Sequence, residues 1–300
     1  MSAIGIPATS RPFSGRAAGF ALLLITTVSW GLNWPLLKYL LTVVPPFTMR
    51  TLAGLIGAGT ALTVAYCSGE RLRPPRSQWW PLIVSSVLNF TSFMTMSTLG
   101  LLWLSASESV IMAYTLPLWT ALIAWPVLGE RPQPQRMLGL AVGFTGIVVL
   151  MGGEPLEASW AKMPGFAIIF VGSWMFALGT VLAKRSPVTL PPIASVGWQV
   201  GIGSTPLAVP ALFEFRRWHA LPAHVWAGIS YLGLVGMCVA YLAWFAALRR
   251  LPASTAAIGT LIVPVVGVFG AVLLLGEPLG GRQIGALGLT LAGVGLAARS

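Results

Sequence analysis

The stretch Leu128-Gly129-Glu130-Arg131-Pro132 closes a long apolar run, and nearly the same letters, Leu275-Gly276-Glu277-Pro278, close another near the end of the chain. In a sequence with 34 glycines and 23 prolines such a cluster is unremarkable alone, so its weight lies in the spacing. Sliding the second half against the first by 147 positions, the distance from Pro117 to Pro264, lays Gly129-Glu130 on Gly276-Glu277 and Ala106-Ser107 on Ala253-Ser254. Past the glutamate one residue drops out, and Pro132, Arg136 and Gly139 meet Pro278, Arg282 and Gly285. Ser29-Trp30 pairs more weakly with Ser173-Trp174. The chain reads as one unit written twice.

Composition says where that unit lives. The 300 residues are 56% hydrophobic and 8% charged, with mean hydropathy +0.83, against roughly 25% charged residues in a soluble domain. A hydrated surface cannot be assembled from so few charges, so an integral membrane protein is expected. The charges punctuate ten apolar runs near the ~20-residue length that spans a bilayer, at 17–38, 46–67, 79–103, 107–129, 136–152, 163–184, 192–213, 223–248, 253–275 and 282–298. Helices are required, because unpaired backbone groups in lipid cost several kcal/mol each. Continuous hydrophobicity excludes a barrel, whose strands would alternate. The longest gap, 68–78, is too short for a soluble domain. Residues 1–16 read as a polar tail, and the first run is too long for a removable signal peptide and is kept as a helix. Cys67 and Cys238 suggest neither a disulfide nor a thiolate metal site, and no cofactor is expected.

Ten spans put both termini on one side. That side receives twelve basic residues (Arg11, Arg16, Arg71, Arg73, Arg76, Arg131, Arg136, Lys184, Arg185, Arg249, Arg250, Arg299), and the other receives six (Lys38, Arg50, Lys162, Arg216, Arg217, Arg282). The excess predicts cytoplasmic termini. The net charge of +11 is then an orientation device, and no basic soluble face exists for nucleic acid. Each unit holds an odd number of helices, so the second copy, 163–298, enters the membrane inverted relative to the first, 17–152. The charges follow: "WLSAS" at 103–107 has no basic residue, while its counterpart "LRRLPAS" at 248–254 carries Arg249 and Arg250. Inverted repeats mark secondary transporters, with the solute site near the midplane between the halves.

The segments "SASESVIMAYTLPLWTALIAWPVLGERPQPQRMLG" (105–139) and "PASTAAIGTLIVPVVGVFGAVLLLGEPLGGRQIGALG" (252–288) resemble the paired signatures of the drug/metabolite transporter superfamily, ten-helix EamA type. "SWGLNWPLLKYL" at 29–40 is similar to that family's first helix. The resemblance implies an all-α basket of two inverted five-helix bundles, lined by runs 1, 3, 4, 6, 8 and 9, with runs 5 and 10 peripheral. Within the family, the aromatic content is similar to that of exporters of aromatic amino acids.

Individual residues carry competing expectations. Pro117 and Pro264, near mid-run, each remove a backbone donor and bend a helix, as hinges for gating or as static kinks. Gly54, Gly57, Gly59, Gly285, Gly288, Gly293 and Gly295 read as close-packing surfaces, with run 10 available for a homodimer. Asn33, Asn89 and Gln199 are in-span amides that need partners, as interhelical glue or as solute ligands. Trp30, Tyr114, Thr115, Trp119, Trp174, Tyr241 and Trp244 lie deep enough to line an aromatic-accepting cavity, or to be packing. Trp79, Trp80, Trp160, Trp218 and Trp226 fit an interfacial belt. Glu108 is either a dipole-stabilised acid at a helix start or a proton-coupling group. Lys38 and Arg50 are expected to anchor to headgroups rather than to attract a carboxylate. Glu130 and Glu277 are expected to fix their turns through local bonds to backbone or to Arg136 and Arg282. An enzyme is disfavoured: the chain has no Asp, and His219 and His224 share one loop without cysteine. A scaffold is the bland alternative. The expected function is export of small amphiphilic metabolites, aromatic or other apolar amino acids, across a bacterial inner membrane by alternating access. A broad exporter of drugs or organic cations with the same fold is the rival.

Overall fold

The computed structural model describes residues 15–129, 134–151, 156–214, 221–251, 256 and 259–298, and among these there is no strand. Ten helical stretches organise them: α1 (Gly15–Leu40), α2 (Pro46–Cys67), α3 (Arg76–Gly100), α4 (Ala106–Leu128), α5 (Pro134–Met151), α6 (Leu156–Arg185), α7 (Pro192–Glu214), α8 (Ala223–Leu248), α9 (Ile262–Leu275) and α10 (Gly281–Ala298). Six of them, α1 to α4, α6 from Trp160, and α8, are long and apolar enough to cross a membrane. Met137–Leu150 and Ile262–Leu275 are shorter apolar helices. Their outward faces are greasy: Leu212, Phe213 and Leu273 are 74%, 78% and 81% exposed, an arrangement that only lipid makes favourable.

The helices pack chiefly across the two halves. α2 lies on α7 and α5 on α10; α1 packs on α8 and α9, and α6 on α3 and α4; α3 meets α7, and α8 meets α2. Exchanging each helix for the one five places on maps this set onto itself, so the halves are related by a pseudo-twofold. The relation is an inversion. Glu214 at the end of α7 reaches the start of α2, accepting from the Phe47 and Thr48 N–H groups at 3.3 and 2.7 Å and from Thr48 Oγ1 at 2.9 Å. Glu70, just past the end of α2, accepts from the Ala194 N–H at the start of α7 at 2.8 Å. Corresponding helices therefore run antiparallel, each tied to the other at its N-terminus, where unpaired N–H groups and the helix dipole favour a carboxylate.

The repeated Gly-Glu cluster follows the same rule. Gly129 and Gly276 have φ of +73° and +68°, the left-handed conformation that ends a helix and that glycine adopts without penalty. Glu277 then leaves its own turn and spans to α4, accepting from Ala106 N at 2.6 Å, Ser107 N at 3.0 Å and Ser107 Oγ at 2.6 Å. This corrects the expectation of local bonding: the glutamate caps a helix of the other half. Glu130, the side chain of Arg136, and Trp218 lie outside the described residues.

The prolines also differ from expectation. α4 does not bend through Pro117 but breaks: Ala106–Ala113 ends, Tyr114 and Thr115 form a turn, and a new helix starts at Leu116 with Pro117 in its first turn. Thr260 and Leu261 make the matching turn before Pro264. Proline is harmless in a first turn, where its missing N–H would be unpaired anyway. Among the glycines, Gly54 abuts Ser204, Gly57 the Gly233 carbonyl, and Gly293 the backbone of Gly139 and Gly143. A Cβ at Gly59 or Gly288 would meet nothing within 4 Å, so these two are not packing surfaces within the chain.

Candidate functional site

The centre of the bundle is marked by two departures from α-helical geometry. α3 widens to a π-helix over Ser86–Ser92 and α8 over Leu232–Val239, positions that correspond under the 147-residue shift. A π-turn adds a residue and frees carbonyls from the regular ladder, which is why such turns collect at functional sites. In α3 the segment supplies its own donors: Ser86 Oγ bonds Leu82 O at 2.7 Å and Ser92 Oγ bonds Val87 O at 2.9 Å. In α8 the segment is apolar, and α1 supplies them instead. Trp30 Nε1 donates to Gly236 O at 3.2 Å and Thr26 Oγ1 to Ala240 O at 3.1 Å.

Each segment also presses an asparagine against a glycine. Asn33 of α1 fills the space a Cβ would take at Gly236, and Asn89 of α3 does so at Gly179 of α6. Both amides keep a buried Oδ1 without a hydrogen-bond partner. Leaving a buried acceptor empty costs about 1–3 kcal/mol, and each Oδ1 is sealed against its glycine, so a donor reaches it only when α1 and α8, or α3 and α6, move apart. Asn89 Nδ2 donates to Ser85 Oγ at 3.3 Å, Ser85 Oγ to Gln199 Oε1 at 2.9 Å, and Gln199 Nε2 to Ser195 Oγ at 2.9 Å. Gln199 thus ties α3 to α7 through its Oε1, and Ser195 of its own helix holds its Nε2.

Around these groups the structure gathers part of the expected aromatic set. Trp30 meets Tyr241 edge-on at 5.2 Å and Trp244 at 5.9 Å between ring centres, and Phe90 lies 5.6 Å from Tyr241. Tyr114, at the break in α4, packs against the main hydrophobic core. Phe90 also lines a narrow cleft of about 10 Å³, room for roughly one water molecule, together with Arg50, Met94, Ser204, Leu207 and Met237. The cleft therefore runs between α2, α3, α7 and α8, whereas the resemblance implied α1, α3, α4, α6, α8 and α9.

Other expected residues fall elsewhere. Trp119 is buried between Phe144 and Phe170, at 4.8 and 4.7 Å, and donates to Thr115 Oγ1 at 3.0 Å. Trp174 is 40% exposed on α6 and joins no ring cluster among the described residues. Glu108 is 2% exposed at the start of α4. It closes a capping box with Ser105 and lies 2.9 Å from Lys162 Nζ and 3.5 Å from Arg282 Nη2. The headgroup-anchor expectation fails for both flanking cations. Lys38 turns inward to the carbonyls of Leu101 and Leu104, at 2.5 and 2.8 Å, closing the end of α3. Arg50 is only 7% exposed and donates Nε–H to Thr98 Oγ1 at 2.5 Å. Its place one turn into a span was the signal available beforehand, since a cation inside a span faces the bundle interior by default.

Comparison with known proteins agrees with this architecture. The model of the EamA-like transporter family matches residues 17–152 and again 163–299. An uncharacterized transporter of Bacillus subtilis is 28% identical over 267 residues, covering 86% of this chain and 84% of its own. A probable amino-acid metabolite efflux pump of Salmonella typhimurium is 27% identical over 290 residues, covering 93% and 94%. The similarly described pump of Escherichia coli is 27% identical, covering 92% of each chain. A solved protein structure with 21% identity superposes with a TM-score of 0.66 over 95% of this chain and 99% of its own, a likeness of fold alone.

Proposed function

Because the chain belongs to the EamA-like transporter family, and is thus a multi-pass membrane transporter rather than an enzyme, we propose that it exports small amphiphilic metabolites, with aromatic and other apolar amino acids as the cargo. The observation that carries this reading is the cluster of Trp30, Tyr241, Trp244 and Phe90, continuous with the cleft and set where helices of both halves meet. Ring edges and faces accept an apolar side chain, and the unpaired Oδ1 atoms of Asn33 and Asn89 suit the ammonium group of a zwitterion. Two relatives described as amino-acid metabolite efflux pumps point the same way.

In this reading the copies 17–152 and 163–298 each contribute five spans of a bacterial inner-membrane protein, with the tail 1–16 and both termini in the cytoplasm. The Lys38, Glu108, Glu214 and Glu277 end then faces outward. Alternating access would turn on the broken helices, with Pro117 and Pro264 starting the segments beyond the breaks. Glu108 is the candidate coupling group: protonation would cancel the charge that holds Lys162 and Arg282 to the start of α4, loosening the outer end.

The test is flux into proteoliposomes of tryptophan, phenylalanine, leucine and threonine beside organic cations, with and without a pH gradient. Saturable movement of the apolar amino acids is expected, with its response to the gradient lost in Glu108→Gln. Transport of organic cations, with amino acids neither moving nor competing, would replace this reading with drug export.

A further inference from the structure

Arg50 is the least expected occupant of the cleft. It is 7% exposed and stands one turn inside α2. Among the described residues no carboxylate lies within ion-pair distance of it, and its one protein hydrogen bond is Nε–H to Thr98. The nearest conspicuous acid along the fold, Glu214, is occupied by the first turn of α2. The two Nη groups thus have no protein acceptor, yet they are not among the sealed, unpartnered atoms of the interior. Arg50 lines the cleft together with Phe90, Met94, Leu207 and Met237.

A buried cation with no counter-ion is an expensive arrangement, several kcal/mol above a paired or hydrated one. It is maintained where a ligand supplies the missing charge. The guanidinium offers two parallel N–H donors matched to a carboxylate, and the Thr98 bond fixes the plane of the fork. Thr98 in turn donates to Met94 O at 2.7 Å, so its hydroxyl is itself held. Phe90, which lines the cleft with Arg50, packs against Tyr241, and Tyr241 against Trp30.

We propose that Arg50, oriented by Thr98, is an anion subsite that receives the carboxylate of the solute while its apolar side chain lies along Phe90, Met94 and Met237. This deepens the function proposed above and rests on it. A single buried cation selects a monocarboxylate. It rejects amines and esters of the same shape, because they leave the guanidinium unpaired, and it repels organic cations outright.

The experiment is a titration of the full chain in lipid nanodiscs, followed by intrinsic tryptophan fluorescence, with L-phenylalanine, L-phenylalanine methyl ester and phenethylamine. The acid should bind the wild type well above both analogues. Arg50→Gln should weaken the acid by about thirtyfold or more, and leave ester binding within about twofold. Thr98→Val should show a smaller loss confined to the acid. Should Arg50→Gln fail to fold, the wild-type contrast and Thr98→Val still decide. Equal wild-type affinity for acid and ester, or an acid affinity untouched in Arg50→Gln, overturns the anion subsite and leaves amino-acid export standing. Binding and flux of phenethylamine with none of the acid overturns both.

Discussion

The two halves of this protein share a backbone and divide the chemistry. The π-segments of α3 and α8 occur at corresponding positions, yet one reads "SVLNFTS" and the other "LGLVGMCV". In α3 the segment's serines quench its own carbonyls. In α8 the donors are Thr26 and Trp30 of α1. Both Asn–Gly contacts cross the halves with the asparagine in the first, Asn33 lying outside the π-segment of α8 that it meets and Asn89 inside the π-segment of α3. Duplication fixed the shape, and each contact then needed only one of its two sides to carry the polar group. As a consequence α8 is hydrogen-bonded to α1, while the α3 segment is hydrogen-bonded to α7, Thr91 Oγ1 donating to Gly203 O at 2.7 Å, and the two sides of the cleft are anchored to different neighbours.

The glycine contacts offer the strongest test. A Cβ at Gly179 would lie 2.1 Å from Asn89 Oδ1 and 2.8 Å from Leu88 Cβ, whereas the three atoms nearest to one at Gly236 all belong to Asn33, at 2.5 to 3.1 Å. Overpacking a core costs about 1–3 kcal/mol. Gly179→Ala should fall at the upper end of that range and Gly236→Ala at the lower, read as loss of Tm in detergent. Adding Asn33→Ala should restore nearly all of the stability lost in Gly236→Ala. Adding Asn89→Ala should rescue Gly179→Ala only in part, because Leu88 Cβ sits next to the backbone and cannot swing away. Equal rescue in the two halves would erase the distinction.

The interlocking carboxylates test the same division at the membrane surfaces. Glu214 serves three donors of α2, but Glu70 serves one of α7. The Ser195 Oγ near the same helix start accepts from Gln199 Nε2 at 2.9 Å and makes no bond to Glu70 among those of the described residues. Loss of a helix cap costs about 0.5–2 kcal/mol. Glu214→Ala and Glu277→Ala should approach 2 kcal/mol on that scale, and Glu70→Ala should stay near 0.5 kcal/mol, by thermal unfolding at low salt. Raising the salt should narrow the difference.

What could be read from the amino acids alone follows from this pattern. The ten apolar runs and the repeat are local signals, carried by composition and by one spacing, and the described helices fall within a few residues of them except where α4 breaks and where α6 starts at Leu156, while the start of the run 253–275 lies largely outside the described residues. Glu277 was misjudged because its partners lie 170 and 171 residues away, and no local rule points that far. Arg50 was counted with loop charges although it lies inside a span. Neither π-segment has a proline or a composition of its own to announce it. Trp30, Asn33, Tyr241 and Trp244 stand out in the sequence because a polar edge in mid-span needs an explanation, and the structure brings the three rings of Trp30, Tyr241 and Trp244 together. The same reasoning also selected Trp119, whose indole is satisfied one turn away by Thr115, and Trp174, which turns to the exterior.

The smallest expected effect is the most direct probe of the borrowed donors. Trp30→Phe keeps the ring against Tyr241 but deletes the N–H that reaches Gly236 O. A hydrogen bond of this kind is worth about 1 kcal/mol net, and the carbonyl it leaves lies beside the cleft rather than in lipid. Ser92→Ala deletes the corresponding bond of α3, where the group is exposed, and should cost only a few tenths of that. Thermal unfolding should therefore rank Trp30→Phe above Ser92→Ala. Hydrogen exchange should show faster opening of the α8 segment in the first variant and an unchanged α3 segment in the second. If both segments loosened together in either variant, the halves would be coupled through the π-turns themselves, and the asymmetry of their donors would have no mechanical consequence.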